Sequence, residues 1–232
     1  MGVLTTLDIM HEKFHKVLFS IKNCLHTVSL ENYFMEKITK ITPTEFDIMD
    51  EIKSRWSPRA FDDVPLSESE VKQLLEAGRW ASSSYNQQPW RIIYGLKGDA
   101  VYDRILSCLI PFNQDWAKNA QALFITAFKK TNKDGEPYYH AMHDLGLFMG
   151  NVVIQANHNG IAAHHMGGLD QEKAHQEFEF SEDFEVATAV AFGRYGGAVE
   201  SLPEGLQEQE LEQERSRMSI SDFAFNGNFE SK

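Results

Sequence analysis

The sequence predicts an α+β domain built around one mixed β-sheet, and three observations carry that prediction. Apolar runs of strand length recur at residues 91–96, 122–128, 161–166 and 185–192. Helical patterns separate them, the longest at residues 140–159. Several of the connections are long. At 232 residues, with 42% hydrophobic and 12% aromatic content, the chain can bury a real core as one large domain or two small ones.

Taken in order, residues 1–34 place Phe14, Val17, Leu18 and Ile21 at helical spacing. An amphipathic helix is expected there, either as an appended leader or as a helix packed on the domain. A single domain is assigned to residues 35–232, with Met35-Glu36-Lys37 as its natural start. A short helix runs from Asp47 into the Arg55 segment and breaks at Pro58. Ser67-x-x-Glu70 is a capping box, and Val71, Leu74, Leu75 and Gly78 then share one face of a helix ending near Ala81. Strands follow at 91–96 and 122–128, the second more continuously apolar. Residues 140–159 are apolar on more than one side, as befits a helix at the centre of a fold, and Gly160 suits the C′ position. Two further strands occupy 161–166 and 185–192. Residues 200–217 are acidic and polar, which predicts a surface helix, and the tail after Ser219 is placed as an edge strand.

The net charge of −12 argues against nucleic acid or an anionic membrane as a general partner. Two cysteines, Cys24 and Cys108, cannot build a disulfide scaffold and fit a reducing cytoplasm. No apolar stretch reaches the roughly 18 residues that span a bilayer. Asp8, His11 and Glu12 interrupt the run a signal peptide needs, so no export is expected. The stretch His11-Glu12-Lys13-Phe14-His15 matches the zinc-protease pattern H-E-x-x-H, but it lies outside the domain with no evident third ligand, and no metal is expected. His140-x-x-His143 reads as helix surface and capping. There is no G-x-G-x-x-G after a strand and no P-loop, so no dedicated dinucleotide-binding domain is supported.

Chemistry concentrates in two runs. In Arg55-Trp56-Ser57-Pro58-Arg59, alternate positions carry two arginines and a serine, and an extended backbone points all three the same way. Two guanidiniums and a hydroxyl fit a phosphate monoester, and they stand out against an acidic chain. The second run, Ser82-Ser83-Ser84-Tyr85-Asn86-Gln87-Gln88-Pro89-Trp90, offers small hydroxyl and amide groups to the edge of a polar heterocycle. A phosphate at one end and a flat polar ring at the other describe a mononucleotide cofactor.

These runs resemble the motifs of the nitroreductase family of flavin mononucleotide (FMN) oxidoreductases. Arg55, Ser57 and Arg59 match its Arg-x-Ser-x-Arg/Lys segment. Residues 82–90 match its Pro-Ser-Ser-x-Asn-x-Gln-Pro-Trp loop, with Ser82 in place of proline. Leu202-Pro203-Glu204-Gly205-Leu206, Arg215-Ser216-Arg217 and Phe223-Ala224-Phe225-Asn226-Gly227 resemble its C-terminal signature, so the resemblance spans residues 47–229. It implies a nitroreductase-like α+β fold: a central mixed or antiparallel sheet flanked by helices, with a long central helix at a homodimer interface and two flavin sites.

The resemblance also implies a cofactor site. Arg55, Trp56 and Ser57 are expected at the phosphate and ribityl end. Arg59 is expected at the N1–C2 edge of the ring, where a cation stabilises the charge that reduction leaves on N1. Ser82, Ser83, Ser84 and Asn86 would reach the flavin from the partner subunit, and Asn113 the ring edge. The loop Met166-Gly167-Gly168 would bring backbone amides to N5 and O4. Arg217 and Arg215 would complete the phosphate clamp, although Arg215 reads equally as a solvated helix-end charge. Trp116 is core or pocket wall, and Gln88 and Trp90 support the fold. His164 and His165 are neighbours on a strand and face opposite ways, so they cannot readily chelate together; His165 is a candidate for the substrate pocket. The activity implied is a ping-pong transfer of electrons from NADH or NADPH to a small acceptor such as a nitroaromatic or quinone. Dehalogenation or flavin breakdown on the same fold, or non-enzymatic redox sensing, is the alternative.

Overall fold

The computed structural model describes residue 38 and residues 40–229, and in it a five-stranded sheet lies between two layers of helix. The amphipathic pattern and the H-E-x-x-H match of residues 1–34 fall outside the described residues. In chain order the elements are α1 (Asp50–Ser54), β1 (Phe61–Asp62), α2 (Glu68–Arg79), β2 (Trp90–Leu96), α3 (Ala100–Ser107), α4 (Pro111–Ala117), β3 (Ala122–Lys129), α5 (Ala141–His158), β4 (Ile161–Met166), α6 (Gln171–Glu177), β5 (Phe184–Tyr195) and α7 (Glu204–Leu211). Among the described residues, no helix is long and apolar enough to cross a membrane.

Local chemistry sets the boundaries. The capping box starts α2: the Glu70 N–H donates to Ser67 Oγ at 3.2 Å, and Glu70 Oε2 accepts the Ser67 N–H at 2.9 Å. Gly160 ends α5 in the left-handed region at φ +70°, its N–H bonded to the Asn157 carbonyl. The sheet is antiparallel throughout rather than mixed: β5 pairs with β3 on one edge and β4 on the other, β2 lies outside β3, and β1 extends the β3 edge. Both faces of β3 are covered, which explains its unbroken apolar run. Leu123, Ile125 and Ala127 join the core under α3 and α4, while Ala122, Phe124 and Phe128 join the core under α2 and α5.

The packing of α2 on α5 is close at Gly78, where a Cβ would come within 2.6 Å of two Phe148 ring carbons and 2.8 Å of Val152 Cγ2. Gly78→Ala sets a helix-propensity gain of about 1 kcal/mol against an overpacking cost of about 1–3 kcal/mol. Phe148 is itself pinned against Trp90 at 5.1 Å, so the clash wins. A net loss of about 1–2 kcal/mol in urea unfolding is expected; a gain would show that the Phe148 ring has room to turn.

Three expectations change. Residues 200–217 form a helix only from Glu204 to Leu211; beyond it the backbone is extended, with Glu214 bridged to Ile41. Arg215 causes this, because its side chain binds carbonyls of the 41–55 segment and a helix would carry it away. The tail after Ser219 contributes a single 3₁₀ turn, Ile220–Asp222, capped by Ser219, and no edge strand. The short elements β1, α3, α4 and α6 have no counterpart in the sequence reading.

Candidate functional site

Burial alternates along the Arg55 segment: Trp56, Pro58 and Ala60 are buried, while Arg55, Ser57 and Arg59 are half-buried on the other side. The extended backbone therefore turns both arginines and the serine to the less buried side, and Arg55 Nη1 donates to Ser57 Oγ at 3.1 Å. Trp56 points the other way. Its ring packs against Tyr195 and under the Lys40 ammonium at 4.4 Å, so its side chain serves the fold.

Arg215 and Arg217 return from the far end of the chain to this segment. Arg215 is no solvated charge. It donates to the Arg55 and Lys53 carbonyls at 2.6 Å each, holding the turn out of α1 in shape. Arg217 donates to the Ser216 carbonyl. Arg55, Arg215 and Arg217 line one cavity of about 230 Å³ with Thr42, Thr44 and Ile52. Burial, and then the charges of Arg55 and Arg217, hold the Arg215 guanidinium below its usual pKa. Among the described residues none of the three meets a carboxylate; their hydrogen bonds go to a hydroxyl and to carbonyls. Three like charges gathered without a counter-charge form a site for an anion.

Arg59 stands apart. Its Nε is buried with no hydrogen-bond partner among the described residues, and its guanidinium lies 5.9 Å from the centre of the Trp116 ring. The backbone beneath it is fixed by Glu210 of α7, a residue absent from the sequence reading. That carboxylate, 2% exposed, accepts the N–H groups of Arg59 at 2.9 and 3.1 Å and of Ala60 at 3.0 Å. Burial pushes its pKa up against those hydrogen bonds. Trp116 is core, 1% exposed, and packs at a tilt against His164, ring centres 4.6 Å apart. Burial, then the Arg59 charge, lowers the His164 pKa to about 4, so the ring is neutral at pH 7; Nδ1 lies 3.0 Å from the Pro58 carbonyl, which makes it the protonated nitrogen.

His165 faces the opposite side of β4, as alternation along a strand requires. It lines a second cavity of about 360 Å³ with Thr126, Met142, Met149, Val153 and Thr188. Its surface is open to that cavity, yet surrounding protein and then the Arg55 charge hold its pKa below the ordinary value. Met166 is buried at the end of β4, and Gly167 is exposed. Asn113, on α4, does not reach outward. Its Nδ2 donates to the Gly168 carbonyl at 3.0 Å and its Oδ1 accepts from Trp116 Nε1 at 3.3 Å. A Cβ at position 168 would lie 2.5 Å from Asn113 Nδ2, so Gly168 lets the loop close against α4.

The serine loop lies elsewhere, at the start of α5. Asp144, in the first turn of α5 and 2% exposed, accepts the Ser84 N–H at 3.1 Å and the Tyr138 hydroxyl, which also donates to the Ser84 carbonyl at 3.0 Å. Burial and the Asp144 charge push the Tyr138 pKa up to about 12. Ser82 and Asn86 are exposed, and Ser83 and Ser84 half-buried. The clamp was not anticipated; its only signal was a carboxylate in an apolar helix. Among the described residues, no hydrogen bond joins this loop to the arginines.

Residues 52–110 match the profile of the nitroreductase family. Over 58 residues the chain is 45% identical to nitrobenzene nitroreductase of Ectopseudomonas oleovorans, a match that covers 25% of each protein. The structure superposes on that of an oxidoreductase containing FMN with a TM-score of 0.76 and 31% identity, over 82% of this chain and 96% of the other. A nitroreductase family protein of Clostridium difficile shares the fold at a TM-score of 0.60 and 16% identity, over 79% of this chain and 100% of its own.

Proposed function

As this chain belongs to the nitroreductase family, we propose that it is an FMN-dependent oxidoreductase carrying electrons from NADH or NADPH to a small acceptor, a nitroaromatic or quinone, by a ping-pong mechanism. The observation that carries the reading is the cavity where Arg55, Arg215 and Arg217 gather with no carboxylate among the described residues. A phosphate monoester supplies the charge this cluster lacks, and the FMN found in a structure 31% identical to this one has such a group. The unsatisfied Nε of Arg59 fits the same cofactor, since it requires an acceptor such as a ring carbonyl. When bound, FMN supplies two-electron chemistry, taking hydride from a nicotinamide and passing electrons on. The chain supplies position. Arg55, Ser57 and Arg217 hold the phosphate, Arg215 keeps their backbone in shape, and Arg59, anchored through Glu210, places a fixed positive charge by the ring.

Where the two halves of the site lie supports a homodimer. The serine loop is tied to Asp144 near the start of α5, whereas Asn157 near its end binds the Glu51 carbonyl and Ser54 hydroxyl next to Arg55. The two are separated by about 20 Å of helix axis. A second copy with its α5 antiparallel would bring its loop to these arginines, and a two-fold axis does so at both sites. The outer face of α5 suits the contact: Met142 is 56% exposed, and at Gly146 and Gly150 a Cβ would meet nothing.

The first test is spectral. Purified protein should carry a flavin absorption that NADPH or NADH bleaches without oxygen and a quinone restores, and it should sediment as a dimer. Arg55→Ala should weaken FMN binding by about 1.5–3 kcal/mol, roughly ten- to a hundredfold in Kd. Unaltered affinity on fluorescence titration removes Arg55 from the site.

A further inference from the structure

We infer that Asn157 is a positioning residue for the arginine cavity: from the end of α5 it fixes the chain on both sides of Arg55, and so sets the affinity for the flavin's phosphate. Such a role rests on the flavin-dependent reading above and adds to it what keeps Arg55 in place.

Arg55 leaves α1 as its C-terminal cap, with extended backbone at φ −66° and ψ 127°. The helix before it has five residues and buries none of them. So short a helix, without an apolar anchor, is not held by its own hydrogen bonds. Polar ties to the rest of the chain therefore decide where it ends and where Arg55 stands. Arg215 and Thr42, which line the cavity, supply some of these ties at the Lys53 and Arg55 carbonyls. Asn157, which does not line it, supplies others.

The Asn157 amide works as donor and acceptor at once. Its Nδ2 donates to the Glu51 carbonyl and to Ser54 Oγ, each at 2.8 Å. Ser54 Oγ passes the tie on, donating to the Asp50 carbonyl at 2.7 Å. Beyond Arg55, the Tyr195 hydroxyl is shared between Asn157 Oδ1 at 3.0 Å and the Trp56 carbonyl at 3.3 Å. Only a primary amide offers two donors and an acceptor in one small plane, and the carbonyls in the last turn of a helix have no partner within it. The support is firm, since Val152 and Ala156 beside it on α5 are fully buried. The neighbouring contact of His158 Nδ1 with Glu51 Oε1, 3.0 Å, is exposed and grips a side chain, so it adds little. Charge-assisted bonds from a guanidinium to a phosphate depend on alignment, and a binding group has to be held within roughly half an ångström by the residues behind it. Slack in the chain around Arg55 therefore costs affinity although no contact with the ligand is removed.

The test titrates the full chain, freed of flavin, with FMN and with riboflavin, which lacks the phosphate. Asn157→Ala is expected to raise the Kd for FMN about five- to twentyfold and that for riboflavin less than about twofold. In an Arg55→Ala background the same change should move the Kd for FMN less than about twofold, because the group it positions is gone. Tyr195→Phe keeps the ring, removes one tie, and should show the same FMN-selective loss at about two- to fivefold; it decides the matter where Asn157→Ala does not fold. Unchanged FMN affinity, an equal loss for both flavins, or a full additional loss on top of Arg55→Ala overturns the role of Asn157. A wild type that binds riboflavin as tightly as FMN instead overturns the reading of the arginine cavity as a phosphate site, and the role of Asn157 falls with it.

Discussion

Replacing Glu210 with alanine is expected to cost about 2–6 kcal/mol of stability and to weaken flavin binding in whatever still folds. The estimate follows from the two N–H groups that depend on this carboxylate. Those of Arg59 and Ala60 both point at it, and each buried donor left without a partner costs about 1–3 kcal/mol. Glu210→Gln separates charge from hydrogen bonding. Its one remaining oxygen can still accept both N–H groups, as Oε1 does at 2.9 and 3.0 Å, and an amide avoids the burial penalty that raises the Glu210 pKa. Glutamine should therefore cost about 1 kcal/mol or less. Urea unfolding of the three proteins, with FMN titration of each, checks both parts. If alanine is tolerated, Glu210 does not hold the Arg59 backbone.

Elements with strong local chemistry were legible in the sequence. Ser67 and Glu70 announce α2 because the capping box is a contact between near neighbours, and it forms as the sequence implies. The boundaries of α5 and β4 are likewise set locally, by Gly160 between a helical and a strand pattern. The short helices α3, α4 and α6 run seven or eight residues, about two turns, too few for a period of 3.6 to stand out. Residues 212–217 misled for another reason: their helical composition is overruled by Arg215 gripping carbonyls some 160 positions away.

The site divides along the same line. The fork of Arg55, Ser57 and Arg59 depends only on alternation in an extended segment, so the side it faces could be read directly; Arg55 and Ser57 meet there, whereas Arg59 lies beside Trp116. Alternation also shows why Trp56 had to turn inward, although it stands in the same motif. Glu210 was hidden because it sits among Glu204, Glu208, Glu212 and Glu214, and nothing local marks which carboxylate is buried. The clamp of Asp144 and Tyr138 on the serine loop joins positions some sixty residues apart, a distance no motif spans.

His164 gives the second large effect, an acid-side loss of stability that His164→Asn should remove. Burial and Arg59 lower its folded pKa from 6.5 to about 4. Between those values the unfolded chain binds the extra proton and the folded chain does not, so stability rises with pH. The contribution is complete above pH 6.5 and is lost as pH falls toward 4, about 3 kcal/mol in all. Glu210 has the opposite sign. With its carboxyl raised above 4.5, the folded state holds that proton longer, and stability declines with rising pH just above the usual carboxylate range. The wild-type curve therefore mixes the two, and the difference between wild type and variant isolates His164. Asparagine can place its amide N–H where Nδ1 meets the Pro58 carbonyl but cannot take up a proton, and at pH 7 it forfeits the tilted ring contact with Trp116, about 0.5–1.5 kcal/mol. Between pH 7 and 4 the wild type should lose about 3 kcal/mol more than His164→Asn in urea unfolding. Parallel curves would mean that His164 takes up its proton as easily folded as unfolded, and the Arg59 charge would then have a second cation beside it in mild acid.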